Sequence, residues 1–158
     1  MVKLYIAGPM TGIPQFNYPA FERMATLLRR EGFEVQSPAE MDDPEVREAS
    51  LASAEGDINT ITSHGYTWGD FLARDVKLLA DDGIKAVVVL PGWADSRGAR
   101  LETFVAHLCG LPIVTANEYA DSVSLFEVSL LTLVKAWSQK PDISFHSQHK
   151  FPWVEDGR

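Results

Sequence analysis

KAVVVLPGWADSRGARLETFVAHLCG, residues 85–110, opens on an apolar run and ends on a glycine. Residues 85–90 are the most strand-like run in the chain, and their apolar character is continuous rather than alternating. That pattern predicts a strand buried on both faces. Pro91-Gly92 stops it. Residues 99–109 then carry Leu101, Phe104, Val105 and Leu108 at the i, i+3, i+4, i+7 spacing of a helix face, with Gly110 as the closing residue. A doubly buried strand feeding a helix is the unit from which a parallel sheet covered on both sides is built.

The same rhythm runs outward in both directions. Residues 2–7 read as a first strand, ended by Gly8-Pro9. Residues 18–30 place Phe21, Met24, Ala25, Leu27 and Leu28 on one helical stripe, with Gly32 as C-cap. Residues 33–36 are a second strand stopped by Ser37-Pro38, and residues 67–80 a second helix. Residues 112–115 form a fourth strand, and residues 122–137 a last amphipathic helix before a polar tail. The expected fold is α/β: a Rossmann-like (flavodoxin-like) three-layer sandwich with a central parallel sheet of four to five strands and helices on both faces. One domain over residues 1–158 is expected, with an extra C-terminal helix and tail at 120–158. Residues 39–66 break the rhythm with acidic clusters and then SLASAEGDINTITSHGY, which has no sustained apolar period. They read as a long connection, in part helical near 44–54, serving as a lid or a surface insertion.

Composition excludes several classes of function. The chain has 158 residues, of which 46% are apolar and 23% charged, as in an ordinary globular domain. The net charge of −8 makes it a poor general binder of nucleic acid. No apolar run reaches the length of a membrane span. The opening MVKLYIAGPM is too short and too quickly broken to read as a signal peptide. Cys109 is the lone cysteine, so no internal disulfide forms, which fits a reducing cytoplasm. His146 and His149 lie in the polar tail and read as solvated. Zinc spacing, the dinucleotide fingerprint, the P-loop and the nucleophile elbow are all missing from the sequence, so neither a cofactor nor a metal is expected.

In sheets of this type ligands sit beyond the carboxyl ends of the strands. AGPMTG leaves the first strand, and Gly8, Pro9, Met10 and Gly12 form one candidate wall, glycine allowing close approach of backbone and proline stiffening the turn. PGWADSRGARLE leaves the central strand and supplies the other wall. Ser96 and Gly98 stand where helix N–H groups are free, which suits an anion, although Ser96 also reads as a plain N-cap. Arg97 or Arg100 reads either as added charge for that cradle or as a plain surface residue. Glu102 reads either as a carboxylate complementing the helix dipole or as a nucleophile or base beside a bound phosphate. In the second helix Asp75 falls within the stripe Trp68, Phe71, Leu72, Asp75, Leu79. A carboxylate there is costly unless paired. It is either structural, held by Arg74, Arg97 or a backbone amide, or faces a pocket with a raised pKa suited to acid–base work.

LYIAGPMTG, then Asp75 within RDVKLLADDGIKAVVVLPGW, then S-x-G-A-x-x-E ending at Glu102, resembles the nucleoside 2-deoxyribosyltransferase-like superfamily, in particular a branch of small, mostly phage-borne members. The resemblance spans about residues 3–115. It implies cleavage of the N-glycosidic bond of a deoxynucleoside or its 5′-monophosphate. It also implies that Glu102 is the nucleophile, that Asp75 handles the base and the departing proton, that Tyr5 stands near the nucleophile, and that Ser96 and Gly98 hold the 5′-phosphate. Such relatives are usually dimers or larger, so a homo-oligomer is expected. The transferases carry an Asp-x-Gly-Thr-like run where this chain has Asp95-Ser96-Arg97-Gly98-Ala99. Ser96 and Arg97 tilt the expectation toward a monophosphate. The expected partner is thus a small nucleotide or nucleoside, not nucleic acid or a membrane, and the expected compartment is the cytoplasm, that of the host if a phage encodes the chain. Two alternatives stand beside this: a catalytically silent nucleotide-binding or sensing module on the same fold, and a phosphoribohydrolase of the lysine-decarboxylase-like type, whose P-G-G-x-G-T-x-x-E motif PGWADSRGARLE loosely echoes.

Overall fold

Lys3–Ala7 (β1) turns Leu4 and Ile6 to one face and Tyr5 and Ala7 to the other, and all four are buried. Ala86–Val89 (β3) does the same with Val88 on the first face and Val87 and Val89 on the second. Both central strands therefore need cover on both sides, and the chain supplies it. The computed structural model describes residues 1–81, 83–119 and 122–139. Among these, five strands form one sheet in the order β2-β1-β3-β4-β5, with β2 at Glu34–Gln36, β4 at Ile113–Tyr119 and β5 at Ser122–Glu127. The pairings β1–β2, β1–β3 and β3–β4 are parallel. The fold is the expected Rossmann-like α/β sandwich.

On the first face Tyr18–Arg30 (α1) packs Phe21, Met24, Ala25 and Leu28 onto Leu4, Ile6, Val88 and Leu90. Its end is the predicted one: Gly32 has φ +89, and the N–H of Phe33 reaches back to the carbonyl of Leu28 at 3.2 Å. On the second face Trp68–Asp81 (α5), Arg97–Leu108 (α6) and Leu130–Trp137 (α7) bury Leu79, Ala99, Ala106, Leu133 and Ala136 against Tyr5, Ala7, Val87 and Val89. No helix among the described residues is long and apolar enough to cross a membrane.

The structure departs from expectation in four places. Residues 122–137 are not one helix. SVSLFE is the strand β5, antiparallel to β4 over six residue pairs, with Val123 and Leu125 turned to the core, and α7 begins only after Ser129, whose Oγ caps Thr132. The alternation in SVSLFE was a strand signal outweighed by the apolar residues that follow it. Pairing with β5 also extends β4 to Tyr119. Residues 39–66 carry the expected helix, at Pro44–Ala52 (α3), but two more short helices, Pro38–Met41 (α2) and Ile58–Thr62 (α4), flank it, and the segment buries Ala39, Val46 and Ile61 in the first core. The fourth departure is the packing face of α6, which consists of Ala99, Glu102, Thr103 and Ala106, while Leu101, Phe104 and Leu108 are 37%, 42% and 69% exposed. The buried set has the predicted spacing displaced by two residues, about 200° around the helix. Small side chains let α6 lie close to the sheet, and Thr103 satisfies itself on the carbonyl of Ala99 at 2.8 Å. His146, His149 and the rest of the polar tail lie outside the described residues.

Candidate active site

The chain runs from β1 to one side of the sheet and from β3 to the other, so a crevice opens where β1 and β3 end side by side. Their ends are tied by the N–H of Leu90 on the carbonyl of Ala7 at 2.9 Å. Gly8 is required there, since a Cβ on it would stand 2.9 Å from Leu90 Cβ. The crevice widens into a pocket of about 780 Å³. Gly8, Pro9 and Met10 line it after β1, and Pro91 and Gly92 after β3. Ser96, Arg97, Gly98 and Glu102 come from α6, and Trp68, Phe71, Leu72, Arg74 and Asp75 from α5.

Glu102 and Asp75 are each 6% exposed. The Tyr5 hydroxyl, fully buried under the pocket floor on β1, donates to Glu102 Oε1 at 2.6 Å. Burial pushes the Glu102 carboxyl up to about 8, the neighbouring Asp75 pushes in the same direction, and the Tyr5 hydroxyl and Arg74 pull back. Asp75 is raised too, first by burial, against the opposing pull of Arg74. The Tyr5 phenol is held well above its usual range by burial and by the two carboxylates, so it stays a donor. Burial and mutual repulsion both favour a proton on this pair of carboxyls, of which Glu102 accepts from Tyr5.

The pair continues into a polar chain. Arg74 donates through Nε to Asp75 Oδ1 at 2.9 Å and through Nη1 to Asp42 Oδ1 at 2.6 Å. The other oxygen of Asp42 accepts from the Tyr18 hydroxyl. Asp42 sits at the end of α2 and lines the pocket, with its side chain 4% exposed. Of the structural partners predicted for Asp75, Arg74 is the one found, and Asp75 nevertheless faces the pocket.

At the mouth, Ser96 is the N-cap of α6, its Oγ accepting from the Ala99 amide at 3.3 Å. The amides of Arg97 and Gly98 have no partner among the described residues and remain available to an anion. The Arg97 guanidinium lies 4.8 Å above the Trp68 ring and joins the starts of α5 and α6. Gly12 does not line the pocket. With φ +81 it makes a turn whose N–H bonds the Gly56 carbonyl at 2.9 Å.

The last wall comes from residues 39–66, which contribute Asp42, Ile58 and Ile61. The segment is fastened to the loop after β1 by the Gly12–Gly56 bond and by the N–H of Gln15 on the Ser53 carbonyl at 2.8 Å. It forms an anchored wall of the pocket. Opposite it, Gln15, Phe16 and Asn17 occupy the left-handed region at φ 56, 49 and 60. Such a run costs about 1–2 kcal/mol per residue. It is held by Asn17 Nδ2 on the Pro9 carbonyl at 2.9 Å and sets the buried Phe16 against the pocket.

The predicted Glu102, Asp75, Tyr5, Gly8, Pro9, Met10, Ser96, Arg97 and Gly98 thus meet around one pocket, with Tyr5 beneath it and Gly12 outside it. Sequence reasoning missed Asp42, Phe16, Ile58 and Ile61. Asp42 sits in an acidic cluster of a segment without periodicity, and no local signal ties it to Arg74. Residues 2–115 match the family described as a domain of unknown function, DUF4406. No curated protein and no solved structure matches the chain. The chain belongs to the DUF4406 family.

Proposed function

We propose that the protein cleaves, or transfers at, the N-glycosidic bond of a nucleoside or deoxynucleoside 5′-monophosphate, with Glu102 as nucleophile and a glycosyl-enzyme intermediate. The observation that carries this reading is the buried Glu102 carboxyl, held by Tyr5 at 2.6 Å in a pocket that contains a second carboxyl, Asp75. One proton on the pair serves the whole cycle. With the proton on Asp75, ionised Glu102 attacks the anomeric carbon, the bond to the base breaks, and the proton leaves with the base. Ionised Asp75 then takes a proton from water, which displaces Glu102 from the sugar and returns the pair to its starting charge. A second base in place of water makes the reaction a transfer. Trp68, Phe71 and Ile61 offer apolar surface to a nucleobase, and the unpaired amides of Arg97 and Gly98 suit its 5′-phosphate. A silent binder of the same nucleotide gains nothing from two buried carboxylates near a phosphate, since like charges repel.

We further propose that the working form is a homo-oligomer in the cytoplasm. Its support is the apolar surface of α6 and α7, where Leu108, Leu130 and Leu131 are 69%, 60% and 65% exposed, and the lone, free Cys109. The test of the chemistry is chromatography of free base released from a panel of ribo- and deoxyribonucleoside 5′-monophosphates and nucleosides, with and without an added acceptor base. Release from a monophosphate, lost in Glu102→Gln, is the expected result. Release that survives Glu102→Gln removes the nucleophile assignment, and no release from any member of the panel moves the assignment to the silent binding module.

A further inference from the structure

The polar chain behind the catalytic pair is larger than a structural ion pair requires. One guanidinium, Arg74, serves two carboxylates, Asp75 at 2.9 Å and Asp42 at 2.6 Å, and Glu102 stands beyond them. Three carboxylates share one cation in a largely buried cluster, and burying charges is expensive unless each is compensated. Asp42 is the unexpected member. It arrives from the end of α2, it is fixed from its far side by the Tyr18 hydroxyl of α1, and its side chain is almost fully buried. A single carboxylate on Arg74 would give the tighter and cheaper pair. The second one divides the guanidinium's charge.

We infer that Arg74 and Asp42 are positioning residues that set which carboxyl of the Asp75–Glu102 pair holds the proton, Arg74 favouring ionised Asp75 and Asp42 opposing it. This rests on the reading that the two carboxyls act as a pair. The groups that face Asp75 are Arg74 beside it on α5, Asp42 from α2, Tyr5 from β1 and Glu102 from α6. Arg74 touches Asp75 directly and acts on Glu102 only through space, so it drives the proton toward Glu102 in the empty site. Asp42 holds one of the guanidinium's N–H groups and adds its own negative charge, which restores the basicity of Asp75. The two carboxyls are thereby kept close enough in proton affinity for the proton to pass to Asp75 when positive charge develops at the sugar beside Glu102.

The test is a titration of side-chain carboxyl carbons by NMR in the full chain labelled at Asp and Glu, with Glu102→Gln and Asp75→Asn to assign the two signals. This readout needs no turnover, so it stands or fails apart from the reaction proposed above. Asp42→Asn keeps the shape of the side chain and removes its charge, and the Asp75 titration is expected to move down. Arg74→Gln is expected to move it up by about 1–3 pH units, and Arg74→Lys to leave it near the parent. Opposite directions for Asp42→Asn and Arg74→Gln, with the Glu102 titration moving less than that of Asp75, support the assignment, because the two substitutions then change which carboxyl of the pair holds the proton. Unmoved titrations, or movement in one direction for both, overturn it. Where Arg74→Gln does not fold, Asp42→Asn decides alone: a downward shift supports the role, and an unmoved titration removes it.

Discussion

Among the described residues Glu102 has no cation bonded to it. Its direct partner is a tyrosine hydroxyl, and burial holds its carboxyl near 8 instead of its ordinary 4.5. A raised carboxyl binds a proton in the folded chain that the unfolded chain has already lost. Between pH 4.5 and about 8 the folded state is therefore the more protonated one, and stability falls as pH rises through that window. The slope for one proton is at most about 1.4 kcal/mol per pH unit. Glu102→Gln removes this slope, so the variant's melting temperature is expected to draw ahead of the parent's as pH rises from 5 to 8, which thermal unfolding across that range measures directly. A parent and variant that run parallel would show Glu102 to be ionised in the fold. For the proposed reaction an alkaline limit on kcat/KM is expected near pH 8, where the pair would lose the proton that the leaving base needs, and a pH–rate profile measures it. Asp75→Asn is expected to slow turnover and displace that limit.

Among the elements, α4 and the loop after β1 depend on each other. Gly56 has φ +64, and a Cβ on it would stand 2.2 Å from the Ile13 carbonyl oxygen, a backbone atom that has no freedom to give way. Gly56→Ala is expected to break the Gly12–Gly56 hydrogen bond and to swing Ile58 and Ile61 from the pocket. The expected outcome is a lower melting temperature together with a KM raised by about tenfold, equivalent to about 1.4 kcal/mol of binding. Loss of stability with unchanged KM would mean that α4 contributes nothing to substrate binding. This dependence was hidden in the sequence, because the segment from 39 to 66 has no apolar period and its anchors are single backbone bonds to residues about forty positions away. The strand and helix at 85–108 were legible for the opposite reason. An all-apolar strand has one stable place in such a sheet, and glycine and proline mark its ends.

At the scale of the molecule the apolar faces of α6 and α7 are turned outward, α6 doing so because its small residues face the sheet. Sedimentation velocity is expected to find an oligomer for the parent chain and a monomer for Leu108→Glu combined with Leu131→Glu. A monomeric parent would end the assignment of this face to self-association. Because the chain carries a net charge of −8, the proposed phosphorylated substrate would depend on a local site built from amides rather than on the field of the whole chain.

What the sequence determined by itself was the layered α/β architecture, the strand ends at which a site opens, and the residue types that meet there, because apolar periodicity and glycine placement act locally and leave a local trace. Which face of α6 meets the sheet was a tertiary decision, made by close packing of Ala99, Thr103 and Ala106 over the larger but outward-facing Leu101, Phe104 and Leu108. So was the antiparallel edge at Ser122–Glu127, which forms because β4 offers a partner. So, above all, was the joining of Asp42 to Arg74 and Asp75. Hydrogen bonds between charged side chains from distant segments follow no sequence period, and only the folded chain brings their donors and acceptors within 3 Å.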